Sequence, residues 1–331
     1  MKLRLGFVGC GWIGCKRLEA LHRSNNAFIQ VIAEPDPVAK ALAAEIVPAA
    51  QLVDSLEQTF ECALDGIVLS TPSAFHADQC CRILSNGVAV FCQKPVARTA
   101  EETRTIVEGA KSADRLLDTD FSYRFTTAMR NIRELVQTGI LGEIYSIDAA
   151  FHNSYGPDKQ WYYDRNLSGG GCCIDLGIHL IDLALWLLGF PKAMFRHARM
   201  FASGRPLRNV DSRTVEDYAM ICFDAGNSQV NVACSWNQPT GGDALISVIV
   251  RGTLGAAELR NINGSFYDFE AVHYFKHERR ILAQPPDEWG GRALLSWVSR
   301  LSLGNCFDQS VYRLIRVSEI VDAAYLHVAN Q

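Results

Sequence analysis

The chain has no run of basic residues, no internal repeat and no low-complexity segment, and its cysteines form no C-x-x-C pair. Thirty-two lysines and arginines stand against 36 aspartates and glutamates, a net charge of -4 that offers no footprint for nucleic acid or an anionic membrane surface. A small molecule is the expected partner. Eleven cysteines, with Cys80-Cys81 and Cys172-Cys173 adjacent, fit buried thiols of a reducing compartment better than a disulfide framework or a zinc site, so no metal is expected. Long hydrophobic runs are missing too. Met1-Lys2-Leu3-Arg4 has a basic flavour, but Gly6, Gly9, Gly11 and Gly14 punctuate the next ten residues, and no apolar signal core develops. The most apolar helical stretch, residues 174 to 190, contains Asp175, His179 and Asp182 and reads as too short and too polar to span a bilayer. Cytoplasmic location is the default. What is present, 331 residues of which 48% are hydrophobic, suffices for two cores.

Leu3 to Val8 reads as a buried strand, followed directly by Gly9-Cys10-Gly11-Trp12-Ile13-Gly14 and then a helical pattern through Leu18 and Leu21. In this G-x-G-x-x-G arrangement the first glycine permits the tight turn, the second lets a pyrophosphate reach the backbone, and the third lets helix pack on strand. A second strand, Phe28 to Ala33, ends in Glu34, twenty residues beyond Gly14, where an acid accepts hydrogen bonds from ribose hydroxyls. A carboxylate there repels the extra phosphate of NADP, and Pro35-Asp36-Pro37 supplies no arginine, so NAD is favoured. Further strands at Ile67 to Ser70, Val88 to Cys92 and Leu116 to Asp120, separated by helices, complete a doubly wound parallel sheet. Its carboxyl-end loops, Ser70-Thr71-Pro72 and Gln93-Lys94-Pro95, then lie beside the cofactor.

Beyond a helix from Thr126 to Gly139 the pattern changes to strands at Glu143 to Phe151, Arg196 to Ala202, Asp217 to Phe223, Ser228 to Ser235, Ala244 to Val250 and Gly255 to Leu259, a mostly antiparallel sheet. The predicted domains are 1–122 and 123–331, the C-terminal helix being free to pack back on the first. At the start of the second domain Gly169-Gly170-Gly171 lets the backbone approach another group closely. Ile174, Ile178, Ile181, Leu185 and Leu188 then repeat at helical spacing. Asp175 and His179, four apart, share a face at about 5 to 6 Å between Cβ atoms, so the aspartate can hold the imidazole in one tautomer and make it a general base.

Together these segments resemble the glucose-fructose oxidoreductase and inositol dehydrogenase family, Gfo/Idh/MocA. The resemblance rests on Gly9 to Gly14; Ser70-Thr71-Pro72 with His76; Phe91 to Pro95; Tyr123-Arg124-Phe125; Leu141-Gly142-Glu143; and Gly169 to His179. It implies an N-terminal Rossmann domain, a C-terminal α+β domain with a large open sheet, and a pyranose or cyclitol site between them. It further implies that Lys94, Asp175 and His179 form the catalytic set. Cofactor contacts are then expected from Gly9, Gly11, Trp12, Ile13, Gly14, Glu34, Ser70, Thr71, Pro72, His76, Gln93 and Lys94. Gln93 departs from the family's usual glutamate and loses a charge beside Lys94, and Trp161-Tyr162 stands where many members have Trp-Arg. Substrate contacts are sought among Lys94, Arg124, Asn153, Tyr155, Trp161, Tyr162, Asp164, Arg165, Asp175 and His179. The expected activity is an NAD-dependent dehydrogenase acting on a secondary alcohol of a sugar, sugar derivative or cyclitol. The competing expectations are a non-catalytic dinucleotide-binding sensor and a ketosugar reductase running in the opposite direction. A homodimer or homotetramer is expected through the open sheet face, assigned to Val230, Val232, Cys234 and Trp236.

Overall fold

The computed structural model describes residues 2–207 and 214–331, and the chain divides into two compact units, Met1–Ser122 with Gly290–Leu314 and Tyr123–Trp289 with Ile315–Gln331. The first unit runs β1 (Leu3–Val8), α1 (Trp12–Ser24), β2 (Ala27–Ala33), α2 (Pro37–Ile46), β3 (Gln51–Val53), α3 (Leu56–Thr59), β4 (Gly66–Leu69), α4 (Ser73–Ser85), β5 (Ala89–Cys92), α5 (Ala100–Ala113) and β6 (Leu117–Thr119). Its six strands pair in parallel in the order β3-β2-β1-β4-β5-β6. Leu5, Phe7, Ile67, Leu69 and Phe91 are buried because helices cover both faces, which is why these strands read as unbroken apolar runs. The order reverses between β1 and β4, so the loops leaving those two strands diverge and open a crevice at their carboxyl ends. The helix α2 is absent from the sequence-based expectation although it carries ordinary signals: Asp36 accepts from Ala39 N at 2.8 Å and Pro37 opens the first turn.

The second unit contains α6 (Thr127–Gln137), β7 (Ile144–Asn153), α7 (Arg165–Ser168), α8 (Ile178–Leu187), β8 (Ala193–Ala202), β9 (Arg205–Pro206), β10 (Tyr218–Ala225), β11 (Ser228–Ser235), β12 (Ala244–Gly252), β13 (Ala256–Asn261), β14 (Phe269–Phe275) and β15 (Glu278–Ala283). The strands form one sheet in the order β15-β14-β13-β12-β7-β11-β10-β8-β9, antiparallel except for the β7–β11 pair. Ile147, Phe151, Val230, Val232 and Cys234 point to one face and are buried, while Asp148, Ala150 and Asn231 alternate to the other.

Here the structure corrects one expectation. The Val230, Val232, Cys234 and Trp236 face is covered by the unit's own helical segment: a Cβ on Gly177 would stand 3.1 Å from Cys234 Sγ. The uncovered face is the opposite one, where Met220 and Leu245 are exposed and a depression of about 340 Å³ opens over Asp148, Cys222, Asn231 and Ser247.

A second correction concerns the apolar stretch. Counted from α7 through α8 it spans Arg165–Leu187, 23 residues, and an 18-residue window of it has mean hydropathy 1.5, enough by length and composition to cross a bilayer. Its apolarity has another use, since 89% of that window is buried inside the protein. The last two helices are α9 (Arg292–Leu303), within the first unit, and α10 (Arg313–Ala329). Trp297 of α9 is buried with its ring 5.7 Å from Phe91, and it fits over Gly66, where a Cβ would meet the indole at 2.5 Å. All eleven cysteines are free thiols, six of them buried.

Candidate active site

In the first unit the three glycines of the β1–α1 turn meet different surroundings. Gly9 takes φ +85° and lies against the Ser70–Thr71 backbone, 2.8 Å from where its Cβ would be. A Cβ on Gly14 would sit 2.5 Å from Gly9 O. Above Gly11 there is nothing within 4 Å, which is the open space a pyrophosphate needs at the start of α1. Trp12, 67% exposed, opens that helix beside it, and Ile13 is half-buried. Glu34 is buried, and its carboxylate accepts from Cys10 N at 2.5 Å and Asp36 N at 2.9 Å. It therefore ties the glycine turn to the end of β2, and each oxygen retains a lone pair for a further donor. The dinucleotide pattern thus fits NAD on geometry as well as on spacing.

The loops after β4 and β5 are joined by His76. Its Nδ1 lies 2.8 Å from Pro95 O and its Nε2 2.7 Å from Thr71 O, and the ring is 1% exposed. Both nitrogens are thus engaged on backbone carbonyls, so His76, expected among the cofactor contacts, instead braces the loops that carry them. Burial lowers its basicity while two facing carbonyls favour the protonated ring. In the same loops Thr71 Oγ1 donates to Gln79 Oε1 at 2.5 Å, Ser70 N donates to Val8 O, and Pro72 precedes α4. Gln93 is buried and donates from Nε2 to Asp120 Oδ2, which also accepts from Arg17 Nε. Lys94 is half-buried, the one residue from Val88 to Ala97 that is not buried.

In the second unit the helix expected after the glycines begins as a π-turn, Cys173–Gly177, and continues as α8. Asp175 lies on the π-turn and is the one residue from Gly170 to Leu185 that is not buried. Its Oδ2 accepts from Trp236 Nε1 at 3.1 Å. The Tyr162 ring lies 6.4 Å from Trp236, and burial together with the charge of Asp175 pushes its phenol well above the usual tyrosine range. His179 is 6% exposed and packs edge-on against Tyr123 at 4.9 Å. Trp236 is a candidate site residue that sequence reasoning misses, because its alternation with Val232 and Cys234 assigns it only to the apolar sheet face expected between subunits.

The glycine triplet has a structural explanation that sequence could not give. A Cβ on Gly170 would stand 1.9 Å from Tyr325 Oη, and one on Gly171 2.0 Å from Glu216 O. The group approached so closely is the protein itself. Glu216, wholly buried, accepts at Oε1 from Gly171 N (3.0 Å), Cys173 N (2.9 Å) and Tyr325 Oη (2.8 Å), so its carboxylate caps the start of the segment carrying Asp175 and His179. Burial raises its pKa against the pull of these donors.

Several substrate candidates prove committed elsewhere. Arg124 is buried in an ion pair with Asp182, Nε to Oδ2 at 2.6 Å with a second bond from Nη2, and packs over Phe190. A buried aspartate on an apolar helix requires such a partner. Asp164 caps α7 by accepting from Asn166 N, and the Arg165 guanidinium lies over the Tyr325 ring at 4.5 Å. Trp161 stacks on Tyr162 at 3.8 Å between centroids, Tyr155 is 51% exposed, and Asn153 ends β7. These last four, with Asp175 and His179, remain as candidates in the second unit.

Comparison with known proteins identifies the family and the fold. Residues 3–121 match the family profile described as "Oxidoreductase family, NAD-binding Rossmann fold", and residues 129–258 match "GFO/IDH/MocA C-terminal domain". D-glucoside 3-dehydrogenase of Escherichia coli (strain K12) is 31% identical over 203 residues, 60% of this chain and 58% of that protein. Inositol 2-dehydrogenase of Corynebacterium glutamicum (strain R) is 30% identical over 190 residues, 56% of this chain and 54% of that protein. The matched region thus spans little more than half the length of either relative. Levoglucosan dehydrogenase, solved in complex with NADH, superposes with a TM-score of 0.83 at 19% identity, covering 99% of this chain and 97% of that one, and shows the fold.

Proposed function

The chain belongs to the GFO/IDH/MocA oxidoreductase family, and from that premise we propose that it is an NAD-dependent dehydrogenase acting on a secondary alcohol of a sugar, sugar derivative or cyclitol. The observation that carries the proposal is a shared pattern of exposure. Lys94 and Asp175 are each the single residue that surfaces from an otherwise buried stretch, so each presents a charged group to a ligand on a backbone held by packing. The names of the two relatives, a glucoside dehydrogenase and an inositol dehydrogenase, point to ring polyols as the substrate class.

In this reading His179 takes the proton of the reacting hydroxyl. Lys94 donates a hydrogen bond to the same oxygen and stabilises the negative charge that develops there. Asp175, steadied by the Trp236 indole, orients the substrate or the imidazole. The turn from Gly9 to Gly14 holds the pyrophosphate, and Glu34 accepts from the ribose hydroxyls and disfavours a 2′-phosphate. Bound NAD supplies the hydride acceptor. The test is a panel of hexoses, alkyl glucosides and inositols offered with NAD and with NADP, followed by absorbance of the reduced cofactor. Oxidation of at least one ring polyol, faster with NAD, is expected. No turnover across the panel would count against the dehydrogenase and leave the dinucleotide-binding sensor and the ketosugar reductase.

A further inference from the structure

Lys94 emerges from a buried segment, so the chain has to raise a charged side chain through apolar surroundings and hold its backbone still. Polar anchors flank it on both sides. Before it, the Gln93 amide donates to Asp120 Oδ2, the oxygen that also takes the Arg17 Nε–H. After it, the Pro95 carbonyl lies 2.8 Å from His76 Nδ1. Asp120 is 1% exposed and Arg17 5%, and Asp120 Oδ1 has no hydrogen-bond partner among the described residues. The cluster therefore contains one cation, one anion and one neutral amide, shut off from solvent.

We propose that Gln93, Asp120 and Arg17 form a charge-balanced clamp that positions Lys94, and that Asp120 is what requires an amide at position 93. A glutamate there would turn an acceptor toward an acceptor and set two carboxylates on one guanidinium. In a site this buried one carboxyl must then take up a proton or withdraw. Withdrawal moves the side chain of residue 93 and with it the adjoining backbone of Lys94. The clamp acts through Lys94 alone, so these three are positioning residues. The inference rests on the reading of Lys94 as the partner of the reacting oxygen.

The experiment exchanges the groups. Gln93→Glu is compared with Gln93→Glu/Asp120→Asn, which restores one carboxylate, one amide and one guanidinium, and both are compared with Lys94→Ala alone and combined with Gln93→Glu. Turnover of the best polyol from the panel, NAD affinity and melting temperature are measured for each. Gln93→Glu is expected to lower kcat by about tenfold or more while NAD affinity stays within about threefold, and the exchange variant to regain most of the loss. In the Lys94→Ala background Gln93→Glu is expected to lower kcat no further, which a purely structural role would not spare. The clamp is overturned if Gln93→Glu keeps parental kcat, if the exchange restores melting temperature without kcat, or if Gln93→Glu further slows Lys94→Ala. Should Lys94→Ala itself keep parental kcat, or the parent turn over nothing, the functional reading falls and the clamp falls with it.

Discussion

The loop that carries Lys94 and the helical segment that carries Asp175 and His179 solve the same problem with different materials. Around Lys94 the restraints are polar and reach across the sheet: His76 on two carbonyls, and Gln93 and Arg17 on one carboxylate. Around Asp175 they are largely steric. Gly170, Gly171 and Gly177 press the π-turn against Tyr325, Glu216 and Cys234, with a single buried carboxylate at its start. Polar restraints depend on charge balance and steric ones on volume. The two scaffolds should therefore fail in response to different substitutions.

The largest effect is expected at the side chains themselves. His179→Ala is expected to lower turnover by roughly two to four orders of magnitude, the range for loss of a general acid or base, with NAD affinity nearly unchanged. Lys94→Ala is expected to do likewise with weaker substrate binding added, both read by steady-state kinetics beside a cofactor titration. If His179→Ala turns over at the parental rate, the second-unit helix is packing alone, and Tyr123, Tyr155 and Tyr162 become the next proton donors to test.

The next contrast is between glycines. Gly171→Ala places a methyl 2.0 Å from a backbone oxygen and is expected to cost about 3 kcal/mol or more of stability in denaturant unfolding, because backbone cannot step aside as a side chain can. Gly11→Ala meets nothing within 4 Å, so stability is expected to stay within about 0.5 kcal/mol. NAD affinity is expected to fall by about tenfold or more, since the methyl takes the pyrophosphate's approach. Equal stability losses at the two positions would erase the distinction between packing glycine and ligand glycine.

The smallest effect concerns Glu216. Its folded-state pKa is raised by burial, so the stability it contributes is fully present below the ordinary carboxylate range and is lost as pH rises through the raised value. Glu216→Gln keeps an oxygen for Gly171 N and Cys173 N and removes the titration. Relative to the parent, the variant is expected to gain stability as pH rises from acid to neutral. A difference that does not change with pH, read by denaturant unfolding across that range, would show that Glu216 does not titrate there.

The sequence disclosed what is local. Strand runs, the glycine spacing before α1, Glu34 at the end of β2 and the 175/179 spacing are each written within a few consecutive residues, and the sheets formed around the strands so placed, with β3, β9, β14 and β15 added to them. Long-range pairings were hidden. Nothing near Gly171 in sequence announces Glu216, 45 residues on, or Tyr325, and nothing near Arg124 announces Asp182. The triplet showed that something must come close but not what. Residues 285–306 were less readable for the same reason: α9 is held in place by seating Trp297 over Gly66, far earlier in the chain. Trp236 shows the reverse failure, a residue whose alternation was legible and whose indole N–H was not.

The helical stretch from Arg165 to Leu187 also bears on how the nascent chain is sorted. Before its sheet exists to receive it, this is a 23-residue segment with an 18-residue window of mean hydropathy 1.5, of the kind a translocon samples for insertion. Near its middle lies Asp175. An aspartate at the centre of an inserted helix costs about 2.5 to 3.5 kcal/mol, several times what a leucine or isoleucine there returns. The carboxylate that surfaces beside Trp236 in the folded protein thus also weighs against lateral release into lipid while the chain is still being made.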